Sequence, residues 1–536
     1  MSPTKILRRD FAKLLPAGLV AARTARAATA NIAVFPDEPV GTVSPLVHGH
    51  FIEHLGGVIY DGIWVGERSK IAHYNGIRKA LVDAMRELGE TTMRWPGGCF
   101  ADSYDWRDGV GASNTRPRRT NFWSTSGRLA KLDPTHVART DTNAFGTLEF
   151  ARFCQLIKAE PYFAANLRSL PAAQFGEWID YCNSPRGSTT WAQRRAAHGS
   201  PEPLHVKYWG VGNESWGCGG NFTAEEYSVE YRRFISWVPR YDNAPLRFIP
   251  AGPNSFDYNW TRQFFGRMTE KGGGQLNRVW GWALHYYCSG AGRGESLGYS
   301  NDDHYDLMAK ANRMEELIEK HWAVMGEFDR EHRVKLAVDE WGAWHLDTTA
   351  VAPHHLFGSV PTVRDALVAA ITLDTFHRHA DKVAMANVAQ LINCIQTLFL
   401  AHEDRFAVTP TYHVFRMYRD HQGGQAVRME VQAPRVSFGS GGVLRAAGSA
   451  TRKDRTVTVT FVNTHLSEAM ETDVWFGTAK AQSAKGEVLT ANEVWAANTF
   501  ETPERVKPAA LTVRLADGAV RLTAPPASVV KVTAAI

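Results

Sequence analysis

The sequence predicts an α/β protein that begins with a (β/α)8 TIM barrel and ends with an all-β sandwich of jelly-roll type. Strand and helix patterns alternate eight times along the barrel segment, as in parallel strands joined by helical crossovers. Near the C-terminus the helical patterns give way to short strands separated by turn-rich stretches. We therefore expect four segments: a targeting segment at 1–27, a strand at 28–43 that joins the sandwich, the barrel at 44–400, and the sandwich at 401–536.

The barrel elements follow from hydrophobic periodicity and from Pro and Gly at their ends. The predicted strands are 46–52, 91–95, 161–167, 206–213, 246–251, 278–287, 333–339 and 382–391. The helices between them are predicted at 77–88, 146–159, 172–183, 223–239, 259–270, 305–328 and 361–380. A doubly wound open sheet is the competing topology, but no glycine-rich phosphate loop follows the first strand.

The C-terminal segment reads as strands only. Several of its runs alternate apolar and polar positions, as strands with one buried face do. The predicted strands are 427–431, 456–463, 471–476, 511–515 and 529–532. The early apolar run at 31–35 has no helix after it, so we expect it to pair with this module.

Composition excludes some classes of protein. The chain has 536 residues, of which 44% are hydrophobic and 21% charged, which is ordinary for a large globular protein. The net charge of +5 is small and the basic residues are scattered, so we expect no nucleic-acid partner. No segment is long and apolar enough to span a membrane. The 17 Trp residues suit sugar rings, although most would fill the core.

The N-terminus resembles an export signal. Arg8 and Arg9 precede an apolar run at 14–22, and Ala25-Arg26-Ala27 fits a small-x-small cleavage site. This pattern is typical of twin-arginine signals and predicts a periplasmic or secreted protein. An oxidising compartment would permit disulfides, but the six cysteines contain no C-x-x-C spacing and the sequence assigns no pairs.

Two distant acids end buried strands in the same way. Glu214 follows the apolar run 208–211, and Glu340 follows the run 336–338, each with Trp close by. In a barrel, the carboxyl ends of all strands meet at the mouth, where catalytic groups lie. Two carboxyls about 5–5.5 Å apart are the machinery of a retaining glycosidase. The alternative is that each acid forms a salt bridge at the barrel rim, but the matching pair favours catalysis.

Three histidines, His48, His50 and His54, lie in one stretch that could suggest a metal site. His48 and His50 would share a strand face, whereas His54 falls beyond the strand end. No carboxylate–histidine helix motif accompanies them. We therefore interpret them as pocket or core residues and expect neither metal nor cofactor.

Several motifs make the chain resemble the α-L-arabinofuranosidases of glycoside hydrolase family 51. The resemblance covers most of the barrel, and the motifs occur in the expected order. Besides the two acid motifs they are Phe51-Ile52-Glu53-His54-Leu55-Gly56, Arg94-Trp95-Pro96-Gly97-Gly98-Cys99-Phe100, Asp105-Trp106-Arg107-Asp108-Gly109, Thr142-Asn143-Ala144-Phe145-Gly146 and Asn387-Val388-Ala389-Gln390-Leu391. Each motif alone is weakly specific, but the ordered set is strong.

The resemblance implies a role for each motif. Glu214 would be the acid/base and Glu340 the nucleophile, with Asn213 on the 2-hydroxyl of the sugar. Glu53 and Gln390 would bind other hydroxyls of the sugar, and Trp344 would line the pocket wall. Cys99 would contact the sugar at a position where some relatives carry Asn. Tyr287, rather than Tyr286, would hydrogen-bond the nucleophile.

The prediction is thus a retaining, exo-acting glycoside hydrolase that releases terminal α-L-arabinofuranosyl residues without a cofactor. Its partner would be a carbohydrate, and the resemblance implies a homo-oligomer, which in the family is often a hexamer. Two alternatives stay open: the same chemistry on a galactofuranoside, xyloside or β-glucan, and a non-catalytic carbohydrate-binding barrel.

Overall fold

Eight parallel strands form the centre of the protein in a computed structural model that describes residues 30–125, 140–242, 244–270, 274–288, 294–346 and 355–536. After an N-terminal strand, β1 (Ala30–Thr42), the barrel strands are β2 (Gly49–Phe51), β3 (Thr91–Trp95), β4 (Ala159–Ala165), β5 (Tyr208–Val211), β6 (Arg247–Pro250), β7 (Gly281–Tyr287), β8 (Lys335–Gly342) and β9 (Val383–Ala389). They pair in the order β6-β5-β4-β3-β2-β9-β8-β7. A parallel bridge between Asn254 and His285 links the two ends of this order.

The helices cover the outside of the barrel and make βαβ crossovers. They are α1 (Lys79–Arg86), α2 (Thr147–Ile157), α3 (Ala172–Asn183), α4 (Thr190–Ala197), α5 (Ala224–Ile235), α6 (Tyr258–Thr269), α7 (Asn301–Gly326), α8 (Val363–Arg378) and α9 (Pro410–Tyr418). Helices α5, α7 and α8 begin at capping boxes. In each, the hydroxyl of a Thr or Ser accepts a hydrogen bond from the backbone amide of an acidic residue three positions later, and the carboxylate of that residue accepts one from the backbone amide of the Thr or Ser. A cap of this kind stabilises a helix by about 1 kcal/mol.

A second large sheet forms the C-terminal β module. Its strands from the C-terminal segment are β10 (Gln425–Gln432), β11 (Ala446–Lys453), β12 (Thr456–Asn463), β13 (Met470–Trp475), β14 (Ser483–Leu489), β15 (Ala509–Leu511), β16 (Val513–Ala516), β17 (Ala519–Ala524) and β18 (Ser528–Ala535). With β1 they make one ten-stranded sheet in the order β15-β14-β18-β12-β11-β10-β1-β13-β17-β16. The sheet encloses its own apolar core, to which β1 contributes Ala30, Ile32 and Val34.

The predicted fold class, a barrel followed by a β module, is confirmed. All eight predicted strands are present, and α3 has the predicted bounds. The first strand is shorter than predicted because Ser44 accepts a hydrogen bond from the amide of Leu46 and starts a 3-10 turn at Pro45–His48. Helix α4 was not predicted, since its sequence has no apolar stripe. The boundary between residues 400 and 401 stays a prediction.

Buried polar side chains join the barrel to the C-terminal β module. Asp374 of α8 accepts hydrogen bonds from Ser449 Oγ at 2.7 Å and Thr460 Oγ1 at 2.6 Å, which belong to β11 and β12. Burial raises the pKa of Asp374 to about 7. The ring of His377, also on α8, lies 5.2 Å from that of His48 and 4.6 Å from that of His421. Burial lowers the pKa of all three histidines, that of His48 to about 3.

This histidine cluster should make the protein sensitive to acid. A buried histidine stays neutral while its unfolded counterpart takes up a proton below about pH 6.5, so the free energy of unfolding falls as the pH falls. Between pH 7 and pH 5, the free energy of unfolding should fall by about 2 kcal/mol less in His377→Gln than in the unmutated protein. Urea unfolding of both proteins at the two pH values measures the difference. Equal losses would contradict the prediction. The raised pKa of Asp374 has the opposite effect, because it makes the free energy of unfolding rise as the pH falls. Both proteins contain Asp374, so its effect cancels in the comparison.

Candidate active site

Two glutamates meet at the carboxyl ends of the barrel strands. Glu340 is buried within β8, opposite His285 of β7, and Glu214 lies in the turn that follows β5. One carboxylate oxygen of Glu214 and one of Glu340 lie within 4.8 Å of each other. Retaining glycosidases hold their carboxyls about 5–5.5 Å apart, whereas inverting enzymes leave about 6.5–9.5 Å for a water molecule. The spacing therefore fits the retaining arrangement.

The backbone at Glu214 is held in an unusual conformation. Its φ of +38° lies in the left-handed region, which is uncommon for residues other than glycine. The turn is closed by the amides of Gly217 and Gly219, which donate to the carbonyl of Glu214 at 2.7 and 3.2 Å. On its other side, the amide of Asn213 donates to Asp102 Oδ2 at 3.0 Å. Strained residues that are fixed by their surroundings in this way cluster at active sites.

The imidazole of His285 lies between the two glutamates. Its Nδ1 is 3.0 Å from Glu214 Oε1 and 3.4 Å from Glu340 Oε2, and its Nε2 is 3.2 Å from Asp339 Oδ1. Burial by itself lowers the pKa of His285, but the carboxylates of Glu340 and Asp339 outweigh burial and raise it to about 10. At neutral pH an imidazolium therefore bridges the carboxylates and offsets their repulsion.

Glu340 receives a donor on each oxygen. Arg94 Nη1 donates to Oε1 at 2.7 Å, and the hydroxyl of Tyr287 donates to Oε2 at 2.9 Å. The hydroxyl of Tyr286 instead donates to the backbone carbonyl of Lys310 at 2.8 Å, outside the site. Charge-assisted hydrogen bonds stabilise the ionised carboxylate that a nucleophile needs.

Arg94 also fixes the orientation of Asn213. Its Nη2 donates to Asn213 Oδ1 at 2.6 Å, while the guanidinium lies 4.7 Å from the centre of the Phe51 ring. The amide oxygen of Asn213 is thereby occupied, while its Nδ2 donates to Cys218 Sγ at 3.9 Å. An amide NH₂ group carries two N–H donors, so one remains for a sugar hydroxyl.

Glu53 and Gln390 form a second polar group in the pocket. Glu53 Oε1 accepts from the amide of Phe100 at 2.9 Å, and Oε2 accepts from Gln390 Nε2 at 3.2 Å. Gln390 directly follows β9, and Glu53 lies two residues beyond the end of β2. Burial raises the pKa of Glu53 to about 7. Near neutral pH this carboxyl can therefore both accept and donate a hydrogen bond, which suits it to a hydroxyl group.

Aromatic rings form one wall of the site. The ring of Trp344 lies edge-on to that of Tyr287, with centroids 5.2 Å apart, and edge-on to that of Phe357, with centroids 4.7 Å apart. Trp344 is only partly buried. It is thus placed where one side of a bound sugar would contact an apolar surface.

Cys99 forms a disulfide, a pairing that the sequence did not assign. Its sulfur is bonded to that of Cys218, and the two Cα atoms are 5.6 Å apart. The two sulfurs lie 4.0 and 3.7 Å from Glu214 Oε2. A pairing across 119 residues is not readable from spacing, because it depends on the barrel bringing two loops together.

The three histidines that could have suggested a metal are placed apart. His54 Nδ1 is 2.6 Å from Asp141 Oδ2, and its Nε2 accepts from Trp95 Nε1 at 3.0 Å. His48 bonds His377 beneath the barrel, and His50 packs on Phe415. Within the described ranges, no candidate metal cluster contains any of these three histidines.

Comparison with known proteins places this chain in a family. The family profile for the α-L-arabinofuranosidase 1 domain matches residues 84–263, and that for the α-L-arabinofuranosidase C-terminal domain matches 339–528. An intracellular exo-α-L-arabinofuranosidase of Bacteroides ovatus is 34% identical over 94% of this chain and 95% of its own. The GH51 arabinofuranosidase structure from Xanthomonas axonopodis pv. citri is 33% identical, with a TM-score of 0.88 over 95% of this chain and all of that one. The chain belongs to glycoside hydrolase family 51.

The family resemblance drawn from the ordered motifs is therefore confirmed, as is the reaction. This α-L-arabinofuranosidase is an exo-acting glycoside hydrolase, and double displacement with retention is general to family 51. A further relative, an intracellular exo-α-(1→5)-L-arabinofuranosidase of Streptomyces lividans, is 28% identical over 90% of this chain and 71% of its own.

The prediction of export is wrong. Both curated relatives carry names that place them inside the cell, which points to a cytoplasmic rather than a periplasmic or secreted arabinofuranosidase. The segment 1–27, on which that prediction rested, lies outside the described residues. Among the described helices none has the length and apolar character needed to cross a membrane.

Four residues around the two glutamates of the arabinofuranosidase had no role predicted from the sequence: Arg94, Asp102, Tyr162 and Asp339. Tyr162 donates to Asp339 Oδ2 at 2.8 Å, and Asp102 receives three backbone amides. Strict alternation along β8 would turn Asp339 away from the barrel interior if Glu340 faces inward. The register of β8 shifts at this point against both neighbouring strands, so that both acids reach His285. The sequence does contain a signal for Asp339: two consecutive acids in a buried strand indicate an irregularity that turns both side chains toward polar partners.

Proposed function

We propose that this arabinofuranosidase releases terminal arabinofuranosyl residues with Glu340 as nucleophile and Glu214 as acid/base. The observation that carries the proposal is the pair of carboxylate oxygens within 4.8 Å, in unequal surroundings. Glu340 is 5% exposed and receives Arg94 and Tyr287, which suits a charged nucleophile. Glu214 is only partly buried at the mouth, where a leaving group would depart.

In the first step, a carboxylate oxygen of Glu340 attacks the anomeric carbon while the bond to the leaving oxygen breaks. Glu214 gives its proton to that oxygen, and the aglycone leaves as an alcohol. The product is an arabinosyl ester of Glu340 with inverted configuration. Its formation transfers the charge of Glu340 to Glu214, and the neighbouring imidazolium of His285 can stabilise either state.

In the second step, water attacks the same anomeric carbon and Glu214 takes one of its protons. The ester bond to Glu340 breaks, so that Glu340 is again ionised and Glu214 again protonated. Two inversions give net retention. No step requires a metal or a cofactor.

Recognition of the sugar follows from the groups around the two acids. We assign the 2-hydroxyl to the NH₂ group of Asn213, where a bond that tightens in the oxocarbenium-like transition state raises the rate. Glu53 and Gln390 would bind the remaining hydroxyls, and Trp344 would contact the leaving-group side. Cys99 would contact the sugar from the loop that follows β3.

The sources of the sugar would be arabinan, arabinoxylan or their oligosaccharides. The name of the Streptomyces lividans relative specifies α-(1→5) linkages, which supports arabinan-type chains as one source. We also propose a homo-oligomer, which the family resemblance implies; sedimentation equilibrium would measure the subunit number.

A panel of aryl glycosides with product analysis tests the proposal. We expect the α-L-arabinofuranoside to give the highest kcat/KM, by about tenfold or more over β-D-galactofuranoside and β-D-xyloside, because one lost buried hydrogen bond costs about 1–3 kcal/mol. Proton NMR of the first product should show the α anomer before mutarotation. A β anomer, or preference for the xyloside or a β-glucan, would contradict the proposal, and turnover itself excludes a purely binding barrel.

A further inference from the structure

The disulfide described above joins two loops of the catalytic pocket. Cys99 lies in the loop after β3 and Cys218 in the loop after β5, beyond Glu214. Both cysteines are partly exposed, whereas Cys154, Cys182, Cys288 and Cys394 are buried. Burial raises the pKa of the thiols of Cys154, Cys182 and Cys288, which keeps them unreactive. The pocket pair is therefore the one a redox reagent would reach first.

The pair lies against one oxygen of the acid/base. Glu214 Oε1 accepts from His285, while Oε2 faces the two sulfurs at 3.7 and 4.0 Å. In the disulfide neither sulfur carries a proton, so neither can donate a hydrogen bond to Oε2. After reduction each sulfur carries an S–H group, a weak donor within reach of that oxygen. The two redox states thus present different surroundings to one atom of the catalytic acid.

We propose that Cys99 and Cys218 form a reversible redox pair that adjusts the acid strength of Glu214. This inference rests on the proposed acid/base role of Glu214. A dithiol reductant gives up two electrons and two protons, the Cys99–Cys218 bond breaks, two S–H groups form, and the reductant becomes a disulfide. An oxidising disulfide reverses the exchange.

The location of the relatives supports a reversible bond. Disulfides of cytoplasmic proteins are usually transient and either catalytic or redox-sensing. A pair on two separate loops at the mouth of a pocket, with both members accessible, meets the structural requirement for exchange with a small thiol or a thioredoxin-like protein.

The direction of the effect follows from hydrogen bonding. Donors to a carboxylate favour its charged form, so the reduced pair should make Glu214 release its proton more readily. Among the described residues, His285 and Tyr287 on β7 and Glu340 on β8 also lie close to Glu214. Reduction of the disulfide alters the covalent structure of none of them. Reduction should therefore move the alkaline limb of the kcat/KM profile to lower pH for substrates that need protonation.

The test compares oxidised and reduced protein after the thiols in each sample have been counted. With phenyl α-L-arabinofuranoside above the alkaline limb, we expect the oxidised form to be faster by roughly two- to fivefold, the worth of one modest hydrogen bond. With a dinitrophenyl arabinofuranoside, whose leaving group needs no proton, the ratio of kcat/KM for the oxidised form to that for the reduced form should be close to one. Reduction should add two reactive thiols to the native protein.

Two variants serve as controls. Cys218→Ala leaves Cys99 without a partner and should remove the dependence on redox state, whereas Cys182→Ala alters a buried cysteine of α3 and should preserve it. Equal profiles for the two states, a shift in the opposite direction, or a redox response that persists in Cys218→Ala would overturn the inference. Failure of both redox forms to cleave either arabinofuranoside would instead overturn the proposed function.

Discussion

Replacement of Glu340 by alanine should reduce kcat on an aryl arabinofuranoside by about 10⁴-fold or more, because no covalent intermediate can form. The loss should be similar for good and poor leaving groups, since every substrate must be attacked at the anomeric carbon. Azide enters the space of the missing carboxylate and should restore part of the turnover of a dinitrophenyl substrate. The product would be an arabinosyl azide of inverted configuration, identified by NMR.

Control variants separate this loss from unfolding. Glu316 lies on the outer side of α7, where it pairs with Lys320 and Arg313. Glu316→Ala makes the same chemical change far from the pocket and should keep nearly full activity. A Glu340→Ala protein that retains more than about a tenth of the original kcat would refute the nucleophile assignment.

Replacement of Glu214 by alanine should affect substrates according to their leaving groups. General acid catalysis contributes about 10²–10⁴-fold, so kcat/KM on phenyl or methyl arabinofuranoside should fall by that amount. On a dinitrophenyl substrate kcat/KM should fall by less than about tenfold, while kcat falls further because water loses its base. A plot of log kcat/KM against leaving-group pKa measures the difference in slope.

Azide distinguishes the two glutamates by product configuration. In Glu214→Ala it attacks the arabinosyl ester of Glu340, so the azide product should have retained configuration, opposite to that from Glu340→Ala. Equal losses of kcat/KM across the leaving-group series would contradict the acid/base assignment of Glu214.

The sequence predicted the barrel because its strands are buried on both faces and its helices carry apolar stripes. It also predicted which residues follow the strands, and so which could meet at the mouth, including Glu53, Glu214, Glu340 and Gln390. These inferences need only local periodicity and the parallel topology.

The rest of the site depends on features that periodicity does not encode. The shift in register on β8 brings Asp339 to His285, and a positive φ shapes the turn at Glu214. The bond between Cys99 and Cys218 depends on the approach of two loops. The prediction of export rested on a short N-terminal pattern that belongs to no part of the described fold, and the names of the relatives contradict it.

The pairing of β1 has a consequence for synthesis on the ribosome. This strand lies between β10 and β13, so the earliest described segment of the chain finds its neighbours only after β10 has emerged. At elongation rates of about 5–20 residues per second the wait is roughly 20–80 s. During that time a stretch with Ala30, Ile32 and Val34 exposed offers unpaired amides to any nearby nascent strand. Crowded polysomes and rapid overexpression would thus favour aggregates nucleated by the N-terminal strand.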